Sequence, residues 1–160
     1  MASTVSNIEQ VLIQAIHKEE SAHRFYLKLA GLIKNPEGAK IFTALAGDEA
    51  GHRQKLETWW AKSVQRDFPF SEDLVTPISA EVDTQTGAVA ALDLALDAER
   101  KAANAYEQLA TETDDEQLRK LCKQLAQEEW GHFDTISAEK NAIIDSYYWF
   151  DVDNTAYVED

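Results

Sequence analysis

Cysteine is almost absent from this sequence, since Cys122 is the single example among 160 residues. One cysteine excludes an internal disulfide and a metal site built from four thiolates. Chains without disulfides are typical of reducing compartments, so we expect a cytoplasmic protein. We expect Cys122 itself to be a small buried hydrophobic residue rather than a redox thiol.

Positive charge is also scarce. The chain has 15 Lys and Arg residues against 29 Asp and Glu residues, which gives a formal net charge of −14. Nucleic acids and anionic membrane surfaces both bind clustered cations, so we expect neither as a partner. No apolar run approaches the roughly 18 residues of a membrane-spanning helix. The N-terminus lacks the pattern of a secretory signal, so we expect none.

Helix-breaking residues are few, with six glycines and three prolines. Apolar residues with helical periodicity extend over four long segments, namely residues 4–34, 38–65, 86–112 and 115–146. Two connections are short and the third, residues 66–84, is long. We also predict that Asp114 and Gln117 form a capping box at the start of the fourth helix.

This order predicts an all-α four-helix bundle with one long crossover, the connectivity that ferritin-like folds share. We assign residues 1–146 to the bundle and residues 147–160 to a C-terminal tail of aromatic and acidic residues. An exposed aromatic cluster of that size favours association, so we expect the tail to pack on the bundle or on a second chain.

The two halves of the chain repeat each other with a constant offset of 80 residues. Segment 19–26 is similar to segment 99–106, and segment 45–52 is similar to segment 125–132. A constant offset across two separated motifs indicates two equivalent helical hairpins. We therefore expect the hairpins to be related by a pseudo-twofold axis.

One glutamate interrupts the apolar stripe of each predicted helix. In the first helix the stripe advances in steps of three and four residues from Ile8 to Ile33, and Glu19 lies on it. The second and fourth helices add a histidine three residues after the glutamate, on the same face. The six candidate metal ligands are Glu19, Glu49, His52, Glu99, Glu129 and His132.

Antiparallel pairing places these six residues at one level. Glu19 and the Glu49–His52 pair are equally distant from the first turn, and the same holds for the second hairpin. Four buried carboxylates cannot all remain ionised without compensating charge. Glutamates from two helices and Glu-x-x-His from the other two are typical of a dinuclear carboxylate site. The oxygen and imidazole ligands suit iron or manganese, with zinc as a substitute in recombinant protein.

Two tyrosines are candidate catalytic residues. Tyr26 and Tyr106 lie two turns beyond Glu19 and Glu99 on the same stripes. Because helical side chains lean toward the N-terminus, we expect each hydroxyl to bond a ligand carboxylate across the pseudo-twofold axis and to deliver a proton. The alternative is a core tyrosine that bonds any carbonyl group.

Other polar residues near the ligands are expected at the surface or at the bundle rim. These are His17 and His23, together with Glu20 and Glu128, which adjoin ligands in sequence but point about 100° away on the helical wheel.

The motif Glu19-x-x-Ala22-x-x-Phe25-Tyr26, followed by Leu45-Ala46-x-x-Glu49-x-x-His52 and then repeated, resembles the rubrerythrin family of the ferritin-like superfamily. The internal symmetry is similar to that of symerythrin-type members. The resemblance implies a non-haem di-iron centre that reacts with hydrogen peroxide or dioxygen. It also implies that the six residues above are the ligands and that Glu49 and Glu129 bridge the metals.

Two departures from the family pattern matter. Typical rubrerythrins carry a rubredoxin module with four cysteines, and this sequence does not, so the implied electron donor is a separate protein. Some relatives place an additional glutamate one turn after a ligand glutamate. Ala22 and Ala102 occupy those positions here, so we predict no seventh ligand.

Three functions remain open at this point. The first is a di-iron oxidoreductase with two iron ions per chain that reduces hydrogen peroxide. The second is a ferroxidase or iron-handling protein that oxidises Fe(II) with dioxygen, and the third is a bundle that binds metal without catalysis. Two iron ions per chain in a monomer or homodimer favour the enzyme, whereas a large shell that takes up many ions favours storage.

Overall fold

The computed structural model describes residues 6–78 and 85–145. Its four long helices are α1 (Asn7–Leu32), α2 (Pro36–Ser63), α3 (Gln85–Glu112) and α4 (Glu116–Asp145), with a short 3₁₀ helix at Glu72–Leu74. α1 packs mainly against α2, and α3 packs mainly against α4. The predicted all-α, ferritin-like four-helix bundle of two hairpins is therefore confirmed. The predicted tail at 147–160 lies outside the described residues.

Local sequence signals set the helix starts. Ser6 caps α1 through a capping box with Glu9, and Asn35 caps α2 by accepting hydrogen bonds from the backbone of Glu37 and Gly38. The predicted Asp114–Gln117 capping box is wrong, because the cap is Asp115 and the residue three positions later is Leu118, whose side chain cannot complete a box. The Oδ1 atom of Asp115 accepts a hydrogen bond from the Leu118 backbone N–H at 2.8 Å, so Asp115 caps α4.

The apolar core is divided into two clusters. One contains the C-terminal halves of α1 and α4 with the N-terminal halves of α2 and α3, including Phe42 and Ile136. The other contains the N-terminal halves of α1 and α4 with the C-terminal halves of α2 and α3, including Leu12 and Leu56. The six candidate ligands lie in sequence between these two clusters on every helix. They therefore form a polar layer inside an apolar interior.

The crossover link packs closely on α1. The ring of Phe70 stacks on His17 with 5.1 Å between centroids, and the Ser71 backbone N–H donates to His17 Nε2 at 3.1 Å. Arg24 donates two hydrogen bonds of 2.8 Å to the Glu72 carboxylate. His17 is only 2% exposed, so its expected place at the surface or rim is wrong. The crossover link covers His17. Helical periodicity could not predict this contact, because the link is not helical where it contacts His17.

Within residues 6–78 and 85–145, none of the helices combines the length and the apolar character that crossing a membrane requires.

Candidate metal centre

All four helices supply one buried glutamate to the polar layer, and α2 and α4 each add a histidine. The six side chains are Glu19, Glu49, His52, Glu99, Glu129 and His132, and none is more than 6% exposed. Burial of so many ionisable groups is costly unless they are paired or bind cations. The structure thus brings together every residue that the sequence singled out as a candidate ligand.

The six residues form two overlapping clusters. Glu19, Glu49, His52 and Glu129 make the first, and Glu49, Glu99, Glu129 and His132 make the second. Within each cluster, one candidate ligand atom per residue lies within 4.8 Å of all the others. Glu49 and Glu129 belong to both clusters. Two buried carboxylate and imidazole clusters that share two glutamates are consistent with a dinuclear metal site.

The Nδ1 atoms of both histidines face the carboxylates. His52 Nδ1 lies 3.2 Å from Glu129 Oε1 and 3.4 Å from Glu19 Oε2. His132 Nδ1 lies 2.9 Å from Glu49 Oε1 and 3.1 Å from Glu129 Oε2. The two imidazole rings stack with 5.4 Å between centroids. Nδ1 is therefore the atom that each histidine offers to a cation.

The electrostatics of the layer favour protons in the absence of metal. Burial and the charge of Glu19 raise the pKa of Glu49 well above its usual range and that of Glu129 to about 8. Burial disfavours charged His52, but the hydrogen bond with Glu129 and the close contact with the Glu19 carboxylate outweigh it and raise the pKa to about 10. The hydrogen bond with Glu129 and the close contact with the Glu49 carboxylate raise the pKa of His132 against the same cost of burial. Without cations, these groups hold protons that balance the carboxylates.

Two buried oxygens indicate that a metal fits better than protons. Glu19 Oε2 and Glu49 Oε1 accept no well-directed hydrogen bond among the described residues, although the Nδ1 atoms of His52 and His132 lie 3.4 and 2.9 Å away. A buried polar atom without a partner costs on the order of 1–3 kcal/mol. Divalent cations would satisfy both oxygens and neutralise the shared carboxylates. The residues present therefore fit a pair of metal ions with mixed oxygen and nitrogen ligands.

An acidic residue contacts the Nε2 atom of each histidine, on the side of the ring away from the metal ligands. Glu128 Oε2 lies 2.6 Å from His52 Nε2, and Asp48 Oδ2 lies 3.3 Å from His132 Nε2. A carboxylate on the far nitrogen of a metal-binding histidine fixes its tautomer and orientation. Sequence reasoning placed Glu128 at the rim and missed this contact. The available signal was the 80-residue repeat, because Asp48 and Glu128 occupy the same position in the two halves.

Both tyrosines make the expected hydrogen bonds across the pseudo-twofold axis. Tyr26 donates to Glu99 Oε1, and Tyr106 donates to Glu19 Oε1. Each hydroxyl therefore bonds a glutamate that belongs to one cluster alone, Glu99 for Tyr26 and Glu19 for Tyr106. Burial, followed by the charge of the carboxylate it contacts, raises the pKa of each tyrosine well above its usual range. Both phenols therefore keep their protons near neutral pH.

Two other side chains lie apart from the layer. The Nδ1 atom of His23 is 2.7 Å from the Ala46 carbonyl oxygen, so this half-buried ring bonds to α2. Cys122 is fully buried, and burial raises the pKa of its thiol to about 12. The expectation that Cys122 is a buried hydrophobic residue is confirmed.

The fold and the site together define a ferritin-like bundle with a dinuclear carboxylate centre. The sequence model of the family described as Rubrerythrin matches residues 10–140. The chain therefore belongs to the rubrerythrin family. A comparison with curated proteins gave no match.

Three solved structures share the fold. A hypothetical protein from Pyrococcus furiosus is 26% identical with a TM-score of 0.78, over 87% of this chain and 91% of that one. A dodecameric thioferritin, the bacterioferritin-related protein from Bacteroides fragilis, is 16% identical with a TM-score of 0.69, over 97% and 94%. An uncharacterized conserved protein from Magnetospirillum magnetotacticum MS-1 is 20% identical with a TM-score of 0.61, over 82% and 92%.

Substitution of the two acidic residues that contact the histidine Nε2 atoms should weaken metal binding to different extents. Glu128→Gln removes the charge that orients His52 at 2.6 Å. It is expected to weaken metal affinity by roughly 10- to 100-fold, the usual effect of losing such a partner. Asp48→Asn should have a smaller effect, because Asp48 is 59% exposed and its contact is longer. Competition with a chromophoric chelator for Zn²⁺ measures both, and equal affinities for the wild type and Glu128→Gln would contradict the assignment.

Proposed function

We propose that this protein is a di-iron peroxide reductase. The observation that carries the proposal is the pair of buried clusters that share Glu49 and Glu129. Membership of the rubrerythrin family supports it. In this proposal Glu19 and His52 complete one iron site, and Glu99 and His132 complete the other. Two iron(II) ions bound there would supply the two electrons that peroxide reduction requires.

The reaction breaks the O–O bond and consumes two protons and two electrons, which gives two water molecules from hydrogen peroxide. The hydroxyl groups of Tyr26 and Tyr106 donate hydrogen bonds to carboxylates of the layer, which makes their protons candidates for delivery to peroxide. The apolar clusters on both sides shield the layer from water along the bundle axis. The remaining requirement is an electron source. We propose a separate donor protein in the cytoplasm, because Cys122 is the one cysteine of residues 1–160, which therefore hold no four-thiolate redox centre of their own.

Stopped-flow spectroscopy tests this function. The anaerobic Fe(II) protein, loaded with two iron ions per chain, is mixed with hydrogen peroxide or with dioxygen at equal concentrations. A peroxide reductase should be oxidised much faster by hydrogen peroxide. Faster oxidation by dioxygen would favour a ferroxidase instead, and no reaction with either would favour a bundle that binds metal without catalysis.

Removal of one phenol tests proton delivery. Tyr106→Phe retains the buried ring but loses the hydroxyl that bonds Glu19. We expect the rate of oxidation by hydrogen peroxide to fall about 100-fold, the lower range for loss of a general acid. Tyr26→Phe should give a similar loss through Glu99. The solvent deuterium isotope effect should also change, whereas a purely structural role would leave it constant. Unchanged single-turnover rates with normal iron content would remove the tyrosines from the mechanism.

A further inference from the structure

A cavity of about 490 Å³ leads from the surface to the polar layer, between α1, α3 and the end of the crossover link. Its inner end is formed by the four glutamates of the layer, which are Glu19, Glu49, Glu99 and Glu129. Small-molecule pockets occupy roughly 300–1,000 Å³, and one water molecule takes about 30 Å³. Hydrogen peroxide has only two heavy atoms and would leave most of this space empty. The cavity is therefore larger than the smallest peroxide requires.

Alanines create the space between α1 and α3. Those that line the cavity are Ala15, Ala22, Ala98, Ala102 and Ala105, spaced three, four or seven residues apart along each helix. Because alanine side chains end at Cβ, they do not fill the space between α1 and α3, and a gap remains there. Ala22 and Ala102 are equivalent in the 80-residue repeat, so the gap lies across the pseudo-twofold axis.

The chemistry of the cavity differs between its wall and its inner end. The wall is mostly apolar, and Ile78 and the half-exposed Leu94 extend it outward. The inner end holds two carboxylate oxygens that accept no hydrogen bond, Glu19 Oε2 and Glu49 Oε1, together with Tyr106. Such a pocket suits a ligand whose reactive group is polar and whose body is apolar. The body would displace water from the alanine wall while the polar group reached the carboxylates.

We infer that the substrate is an organic hydroperoxide, ROOH, whose apolar R group occupies the alanine-lined cavity. This inference rests on the proposed peroxide reduction and specifies its substrate class. The O–O bond breaks, two electrons and two protons are consumed, and the products are the alcohol ROH and water. The electrons come from the iron pair of the proposed function, which the external donor reduces again. The alcohol leaves through the same cavity.

Cavity-filling substitutions test the substrate class. Ala102→Phe and Ala22→Leu place bulk inside the cavity without changing any candidate ligand, and Ala44→Phe adds the same bulk at an exposed position of α2 outside it. Anaerobic Fe(II) protein is mixed with cumene hydroperoxide or with hydrogen peroxide. In the two cavity variants the rate with cumene hydroperoxide should fall roughly 10- to 200-fold, the range over which hydrophobic pockets discriminate by size. The rate with hydrogen peroxide should fall by a much smaller factor, so the ratio of the two rates should drop in both cavity variants, whereas Ala44→Phe should leave the ratio unchanged.

Binding gives a second readout that does not depend on activity. The alcohol product, 2-phenyl-2-propanol, is added to the redox-inert zinc protein and followed by saturation-transfer NMR. Wild type and Ala44→Phe should bind it, and Ala102→Phe and Ala22→Leu should not. Two variants of different size guard against misfolding of either, and thermal melting confirms that each folds.

The outcomes separate the two proposals. Fast oxidation by hydrogen peroxide, with no alcohol binding or with equal cumene hydroperoxide rates in all variants, would overturn the substrate class alone. Failure of both peroxides to oxidise the Fe(II) protein would overturn the proposed function and this inference with it.

Discussion

Replacing Glu49 with glutamine is expected to lower peroxide reduction at least about a thousandfold, or roughly 4 kcal/mol of transition-state stabilisation. Glu49 belongs to both carboxylate and histidine clusters, so its loss weakens both metal sites at once. A neutral amide is a poorer ligand for a hard cation than a carboxylate. Glu129→Gln should have the same effect, because Glu129 is the other shared residue. Single-turnover rates with hydrogen peroxide measure the loss.

The number of metal ions bound per chain should also distinguish the shared glutamates from those that belong to one cluster. Glu49→Gln and Glu129→Gln should reduce bound metal from two ions per chain to less than one. Glu19→Gln and Glu99→Gln each affect one cluster, so each should leave one ion bound. Elemental analysis after equilibrium dialysis measures the counts. Two tightly bound ions in Glu49→Gln would contradict the assignment of a shared ligand.

The fold itself should survive this substitution. Burial and the charge of Glu19 raise the pKa of Glu49, so the carboxyl already carries a proton near neutral pH when no metal is bound. Glutamine has nearly the same shape and is also neutral. The melting temperature of the metal-free variant should therefore match or exceed that of the metal-free wild type. Glu37→Gln is the matched control, since Glu37 lies on the same helix and is 71% exposed.

Metal affinity should rise steeply with pH. Glu49, whose pKa is raised, and Glu129, at about 8, are hard to ionise, and contact with the same carboxylates raises the pKa values of His132 and His52. Each pair of one histidine and one shared glutamate therefore holds at least one proton near pH 7 without metal. Metal ligands must lose these protons, so binding should release at least about two protons per chain. Affinity should then increase on the order of 10²-fold or more per pH unit between pH 6 and 7. Above pH 8 the slope should decrease, because Glu129 then loses its proton unaided.

Calorimetry in buffers of different ionisation enthalpy counts these protons directly. Zn²⁺ is a suitable probe, since it binds the same ligand types without redox chemistry. Release of one proton or fewer at pH 7 would mean that the layer does not hold the protons assigned to it. Glu128→Gln is a useful comparison, because it changes the partner of His52 and leaves all six candidate ligands in place.

Helical periodicity and the internal repeat carried most of the information about the site. The stripe that includes Glu19, and its equivalents on the other helices, identified six residues that the fold brings into one layer. The lean of helical side chains toward the N-terminus likewise predicted that Tyr26 and Tyr106 reach carboxylates of the opposite half. These features depend on spacing along single helices, which a sequence displays directly.

The features that escaped prediction depend on how separate segments pack. His17 is buried because Phe70 and Ser71 of the crossover link pack over it. An irregular link has no repeating sequence pattern from which such a contact could be predicted. Glu128 on α4 bonds His52 on α2, and the two residues are 76 positions apart in the sequence. The alanine-lined cavity is a space between helices rather than a property of either helix. In the sequence, Ala22 and Ala102 indicate only that no additional glutamate ligand is present at these positions.

The central claim is that the buried layer binds two metal ions through the six residues. Crystals of the Fe(II)-loaded protein, with anomalous diffraction recorded on both sides of the iron absorption edge, test it most directly. Two iron peaks should lie between the helices, one beside Glu19 and His52 and the other beside Glu99 and His132, with Glu49 and Glu129 contacting both. A layer without iron density, or iron held only by residues elsewhere in the chain, would contradict the account.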